Sequence, residues 1–183
     1  MQEIKVEKII IGKQYEECEN YQKFKQIILE KNIKVNIVEE GKRINIEKDL
    51  YFDILWPLKE NTINDNIINN NSLVCKLVYK DFSMIFTGDI EEIAEKLIVS
   101  KYNKNVLKSY ILKVAHHGSK TSSIKELINA VNPQYAVIGV GKNNKFGHPA
   151  DSTIKNLEEQ NVKIYRTDEN GEIFFSIFSN RFY

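Results

Sequence analysis

The second half of this chain is built from apolar runs that each break off in a polar cluster, and that rhythm constrains the fold more than any other feature. Phe82 to Thr87 ends at Gly88-Asp89, and Tyr110 to Ala115 ends at His116-His117-Gly118-Ser119. Tyr135 to Val140 runs into a loop, Gly141 to Pro149, that carries His148. Helical patterns separate the runs, from about Glu91 to Lys101 with Ile93, Leu97 and Ile98 inward, and from Ser122 or Ser123 to the residue before Pro133. Strands that alternate with helices predict an α/β layered fold. In such folds ligands collect at the carboxyl ends of the strands.

Other elements follow from local pattern. Ile4 to Ile11 reads as a strand, and Glu17 to Lys31 as a helix with Tyr21, Phe24, Ile27 and Ile28 on one face. Lys34 to Val38 and Arg43 to Ile46 alternate around Glu40-Gly41, which predicts a hairpin. Leu50 to Trp56 is a strand stopped by Pro57, and the asparagine-rich stretch Lys59 to Asn71 reads as a solvated loop. Leu73 to Tyr79 pairs with Phe82 to Thr87 across the turn Lys80-Asp81. A helix is expected from about Asp151 to Gln160, then strands Lys163 to Thr167 and Glu172 to Phe178. Nothing divides the 183 residues, so one domain is expected.

A net charge of +1 gives no bulk electrostatic drive toward nucleic acid. Cys18 and Cys75 are too few for a disulfide framework, and they lack metal-ligand spacing. No apolar stretch is long enough to cross a bilayer, and the charged start MQEIKVEK has no signal-peptide core. As written, the chain is expected in the cytoplasm.

Three strand ends on one side of a sheet converge, so Asp89, His116, His117 and His148 are expected to share one site. Aspartate and histidine together suit zinc or manganese. Each residue also has a plain structural reading. Asp89-x-x-Glu92 and Ser123-x-x-Glu126 both fit capping boxes, and His148 fits a turn before Pro149. The joint placement of the three clusters favours the site.

The segments IFTGDIEEIAEKLI, ILKVAHHGSKTSS and IGVGKNNKFGHPADSTIKNLEEQNVKIYRTDENG, in this order, resemble the metallo-β-lactamase-fold hydrolase domain of the ComEC-type DNA-internalisation competence proteins. The resemblance is strong from about Asn69 to Gly171 and weaker from Lys5 to Pro57. It implies an αββα sandwich, a two-metal site and phosphodiester hydrolysis of DNA. Carried over, Asp89 would bridge the metals and one of His116 and His117 would be a terminal ligand. His148 would hold a phosphate oxygen or donate a proton to the leaving group. Ser119, Lys120 and Lys142 would be placed for phosphate, the lysines as point charges.

The chain departs from the family at one motif. H-x-H-x-D-H is absent, and all three histidines are already assigned. Two ions about 3.5–4 Å apart need more donors than remain. The expectation is therefore an N-terminally truncated domain with a partial, single-metal site, impaired alone. Its partners would be DNA, the missing N-terminal half, a membrane channel protein or a second copy of itself, and inside a larger competence protein it would be membrane-associated. A non-catalytic remnant that binds DNA or a partner, and a phosphoesterase for small substrates, are the alternatives. Loss of the first strands is expected to expose an apolar sheet face and favour association.

Overall fold

The computed structural model describes residues 4–13, 18–60, 62–178 and 181–182. In chain order it contains β1 (Lys8–Gly12), α1 (Glu19–Glu30), β2 (Lys34–Val38), β3 (Arg43–Glu47), β4 (Leu50–Trp56), α2 (Ile67–Asn70), β5 (Val74–Tyr79) and β6 (Phe82–Phe86). Then follow α3 (Glu92–Lys101), α4 (Lys104–Leu107), β7 (Ile111–Lys113), α5 (Lys125–Val131), β8 (Tyr135–Ile138), α6 (Asp151–Glu158), β9 (Lys163–Arg166), α7 (Thr167–Asn170), β10 (Ile177–Phe178) and β11 (Arg181–Phe182). The fold is mixed α/β, as expected from the alternating pattern.

β3 to β9 form one seven-stranded sheet in sequence order. β3, β4, β5 and β6 are antiparallel neighbours, whereas β6, β7, β8 and β9 run parallel. The change follows from the connections. Lys48-Asp49 and Lys80-Asp81 are too short for anything but hairpins, and Asp49 and Lys80 take the left-handed backbone such turns need. From β6 onward each connection contains a helix, which allows a parallel return.

All three crossovers step the same way along the sheet. Right-handed crossovers then place their helices on one face. That face holds the main core, with Ile85, Leu112, Ala136 and Ile138 packed among Ile98, Ile128, Val131 and Leu157. The opposite face carries the pairing row Ile44, Phe52, Leu77, Met84, Ile111, Tyr135 and Lys163. Most of these are only half-buried, and Phe175 packs on Tyr135 with ring centroids 5.7 Å apart.

Several expectations need correction. β2 and β3 do not form a hairpin: β2 pairs in parallel with β1 across the α1 crossover, and β3 pairs with β4. The predicted Glu17 start of α1 lies outside the described residues, and Ile27 on that helix is 49% exposed. On α3, Ile93 and Leu97 point outward at 44% and 41% exposure, while Glu95 points into the core at 0%. The reason is that Glu95 has a partner inside, described below, and the isoleucine and leucine have room outside.

The capping boxes do not form. The N-cap positions are Glu91 for α3 and Ile124 for α5, and neither makes a side-chain cap bond. The asparagine run is not a solvated loop, because Asn70 and Asn71 are fully buried. At the C-terminal end Thr167 begins α7, and within Glu172 to Phe178 only Ile177 and Phe178 form a strand.

Candidate functional site

The parallel strands β6, β7 and β8 deliver their carboxyl ends side by side, and with them the three polar clusters. Hydrogen bonds join the loops. The His116 amide donates to the Gly88 carbonyl at 3.0 Å, the Thr87 hydroxyl to the Lys113 carbonyl at 2.6 Å, and the Ala150 amide to the Gly118 carbonyl at 2.8 Å. Two glycines permit this closeness. A Cβ on Gly118 would lie 2.6 Å from Pro149 Cβ, and one on Gly88 would lie 2.7 Å from Ser72 Cβ.

After β7 the chain makes an unusual turn. His116, His117 and Gly118 have consecutive positive φ angles of 46°, 54° and 82°. Left-handed backbone costs an L-residue roughly 1–2 kcal/mol. Such strain persists only where surrounding structure over-determines it, and it concentrates at functional sites. Here it turns two adjacent imidazoles toward different carboxylates.

His117 is the open one, with its side chain 52% exposed. Its Nδ1 lies 2.6 Å from the Gly139 carbonyl oxygen. A carbonyl only accepts, so Nδ1 carries the proton and Nε2 of the neutral ring has a lone pair. Nε2 lies 3.9 Å from Asp89 Oδ1. In the neutral ring, Nε2 and the Asp89 carboxylate are two acceptors close to each other. Imidazoles that ligate metals hold their other N–H in this way.

His116 is enclosed. Among the described residues its buried Nδ1 has no hydrogen-bond partner, and Glu91 Oε1 lies 3.6 Å away. Glu91 is itself tied down. Thr121 Oγ1 donates to its Oε1 at 2.9 Å, Asn66 Nδ2 donates to its Oε2 at 3.0 Å, and its amide donates to Asn70 Oδ1 at 3.0 Å. This is where the buried asparagines matter. Asn70 fixes Glu91, and Asn71 donates to the carbonyls of Ile63 and Ile67 to hold the preceding loop.

His148 closes the third side, its ring 5.7 Å from that of His116 in an edge-on arrangement. Burial pulls its pKa below the ordinary histidine value, and the two neighbouring histidines add to the effect. Ser119 is buried, with its hydroxyl 3.0 Å from that of Thr121, so it belongs to the loop's internal bonding. Lys120 and Lys142 are exposed on loops. Lys113 was not a sequence candidate. Its ammonium donates to the Val114 carbonyl at 2.8 Å, and burial lowers its pKa while Asp89 raises it.

A second unforeseen carboxylate supports the site from behind. Glu95 accepts from the amides of Ser123 and Ile124 at 2.6 and 2.9 Å, which pins the segment after the histidines. Burial pushes its pKa up to about 7, against the two amide bonds that pull it down. The sequence carries little trace of this role beyond a glutamate four residues after Glu91, beside the apolar positions Ile93, Leu97 and Ile98. Among the described residues no group of three or more His, Cys, Asp or Glu side chains is placed to hold one ion.

Comparison with known proteins gives the family. The chain is 33% identical over 169 residues to ComE operon protein 3 of Bacillus subtilis, which covers 92% of this chain and 21% of that protein. It is 35% identical over 126 residues to Competence protein ComA of Neisseria gonorrhoeae, covering 69% and 18% of the two. The chain belongs to the ComEC-type competence family. Recombination protein 2 of Haemophilus influenzae matches at 31% over 134 residues, covering 72% of this chain and 16% of that one. No protein-family model matches the chain. It spans about a fifth of the length of these ComEC-type relatives. Among the described residues no helix is long and apolar enough to cross a membrane.

Proposed function

We propose that the chain carries the strand-end part of a metal-dependent phosphodiesterase site, in a metallo-β-lactamase-like αββα sandwich that acts on DNA during competence. The observation that carries this reading is the pair of facing acceptors, Asp89 Oδ1 and His117 Nε2, 3.9 Å apart. The donor set of one carboxylate and one imidazole fits zinc or manganese. A divalent ion there would polarise a phosphoryl oxygen. Asp89 and His117 would hold the ion, and His148 at the rim would hold a phosphate oxygen or supply a proton to the leaving oxygen.

Two donors fall short of the three protein ligands usual for catalytic zinc. The remaining ligands come, in this reading, from a further segment of a larger protein. That segment would form the second sheet of the sandwich, against the half-buried row from Ile44 to Tyr135.

The test is metal binding measured by calorimetry, with and without an added H-x-H-x-D-H-bearing segment from a ComEC-type relative. Weak single-ion binding alone, becoming tight two-equivalent binding with DNA hydrolysis in the mixture, is the expected result. Asp89→Ala should remove both. No gain on adding the segment sinks the reading. Comparing single-stranded DNA with a small phosphodiester then identifies the substrate.

A second reading is a DNA- or partner-binding module without catalysis. The absence of a three-donor group among the described residues favours it. Metal-dependent hydrolysis by the chain alone, lost in Asp89→Ala, would exclude it.

A further inference from the structure

The loop from Gly139 to Pro149 holds a feature that metal chemistry does not use. Phe146 lies at its tip, 81% exposed. Its ring stacks on that of His148, with centroids 5.9 Å apart and planes 18° apart. The phenyl ring thus lies beside the site histidine, roughly parallel to it, with most of its surface open to solvent.

The loop is built to keep the ring there. Asn144 Oδ1 accepts from the amides of Phe146 and His148 at 3.2 and 3.0 Å, and its Nδ2 donates to the His148 carbonyl at 2.7 Å. At the base, the Val140 amide donates to Thr167 Oγ1 at 2.8 Å, and that hydroxyl donates back to the Val140 carbonyl at 2.7 Å. A cavity of ≈ 330 Å³ opens between Phe146, His148, His117, Gly141 and Thr167. A Cβ on Gly141 would meet nothing within 4 Å, so this wall leaves open space. Lys142 and Lys145, on the same loop, are exposed.

A flat apolar surface, a neighbouring cavity and flanking cations match the needs of one chemical class. Single-stranded nucleic acid presents an aromatic base on a phosphate backbone, and proteins bind it by stacking the base on an aromatic ring beside basic side chains. We propose that Phe146 is a stacking platform for a nucleobase next to the phosphate held at the site. This deepens the nuclease reading and rests on it. Phe146 positions the strand through its base, and Lys142 and Lys145 attract its phosphates. The platform is blind to sequence, since every base has a π-face.

Binding of two labelled oligonucleotides to the full chain, followed by fluorescence anisotropy at fixed salt, tests this. One is a short oligothymidylate, and the other is the same backbone with abasic residues. Phe146→Ala should weaken the first by roughly tenfold and leave the second unchanged. Phe146→Trp should restore binding of the first. Replacing Lys142 and Lys145 by alanine should weaken both about equally. The ring is exposed, so Phe146→Ala should fold normally, and circular dichroism checks this.

Equal losses on both oligonucleotides, or a loss on neither, would overturn the platform while leaving the nuclease reading intact. Failure of the unaltered chain to bind either oligonucleotide would overturn the platform, and the metal and hydrolysis assay above then decides the nuclease reading on its own.

Discussion

His116 and His117 are adjacent in the chain, yet they occupy opposite corners of the site. His117 is half exposed, gives its Nδ1 proton to Gly139 and turns a lone pair toward Asp89. His116 is enclosed, with a buried Nδ1 facing a Glu91 carboxylate that is already held by Thr121 and Asn66. The difference lies in the exposure of each carboxylate. Asp89 keeps its side chain 43% exposed, whereas Glu91 is 17% exposed and locked. The open corner leaves its carboxylate accessible, and the closed corner holds a ring in place. The backbone of both residues is left-handed, with φ of 46° and 54°.

The harshest way to break the comparison is Gly118→Ala. It strains a φ of 82° and drives a methyl group to 2.6 Å from Pro149 Cβ, so both corners should fail together. A loss of roughly 2–5 kcal/mol in urea unfolding is expected. Gly141→Ala, in open space without a positive φ, is the matched control and should change stability by less than about 0.5 kcal/mol.

Glu95 gives the next largest effect, through pH. Its folded pKa of about 7 lies above the ordinary 4.5. The native state therefore keeps a proton that the unfolded state releases, and stability falls with rising pH between those values. The contribution is complete below 4.5 and is lost as pH rises through about 7. The slope should approach about 1.4 kcal/mol per pH unit in that window. Melting temperatures measured across it should decline, and Glu95→Gln should flatten the decline.

Two substitutions then separate the corners. Asp89→Asn should reduce zinc or manganese affinity about a hundredfold in calorimetry, because it removes a charged donor. Glu91→Gln should cost only about tenfold, since it acts through the orientation of neighbouring groups. Equal effects would show that the two corners are not distinct. If Glu91→Gln proves the more damaging, the ion belongs at the closed corner and the assignment of His117 as ligand is wrong.

Much of this site is legible in one dimension. The clusters at Asp89, His116-His117 and His148 follow three apolar runs, and parallel strands linked by helices bring such ends together whatever fills the loops. The supporting residues were harder to read. Glu95 sits where helical periodicity allows either face, and Ile93 and Leu97 are the better apolar candidates for the core. The amides of Ser123 and Ile124, which donate to Glu95, make a buried carboxylate favourable there. Asn70 and Asn71 read as a polar run because their partners are backbone groups, which leave no mark in composition.

The sequence by itself determined the α/β architecture, the order of the strand-end clusters and the nearness of Asp89, the histidine pair and His148 to one another. These depend on periodicity and connectivity, which are properties of the chain read in order. Only the tertiary structure decided which histidine faces which carboxylate, that Glu91 and Glu95 turn inward, and that Phe146 is held out over the site. Those choices depend on backbone sign at single residues and on hydrogen-bond partners far away in the chain, and both are set when the loops close on one another.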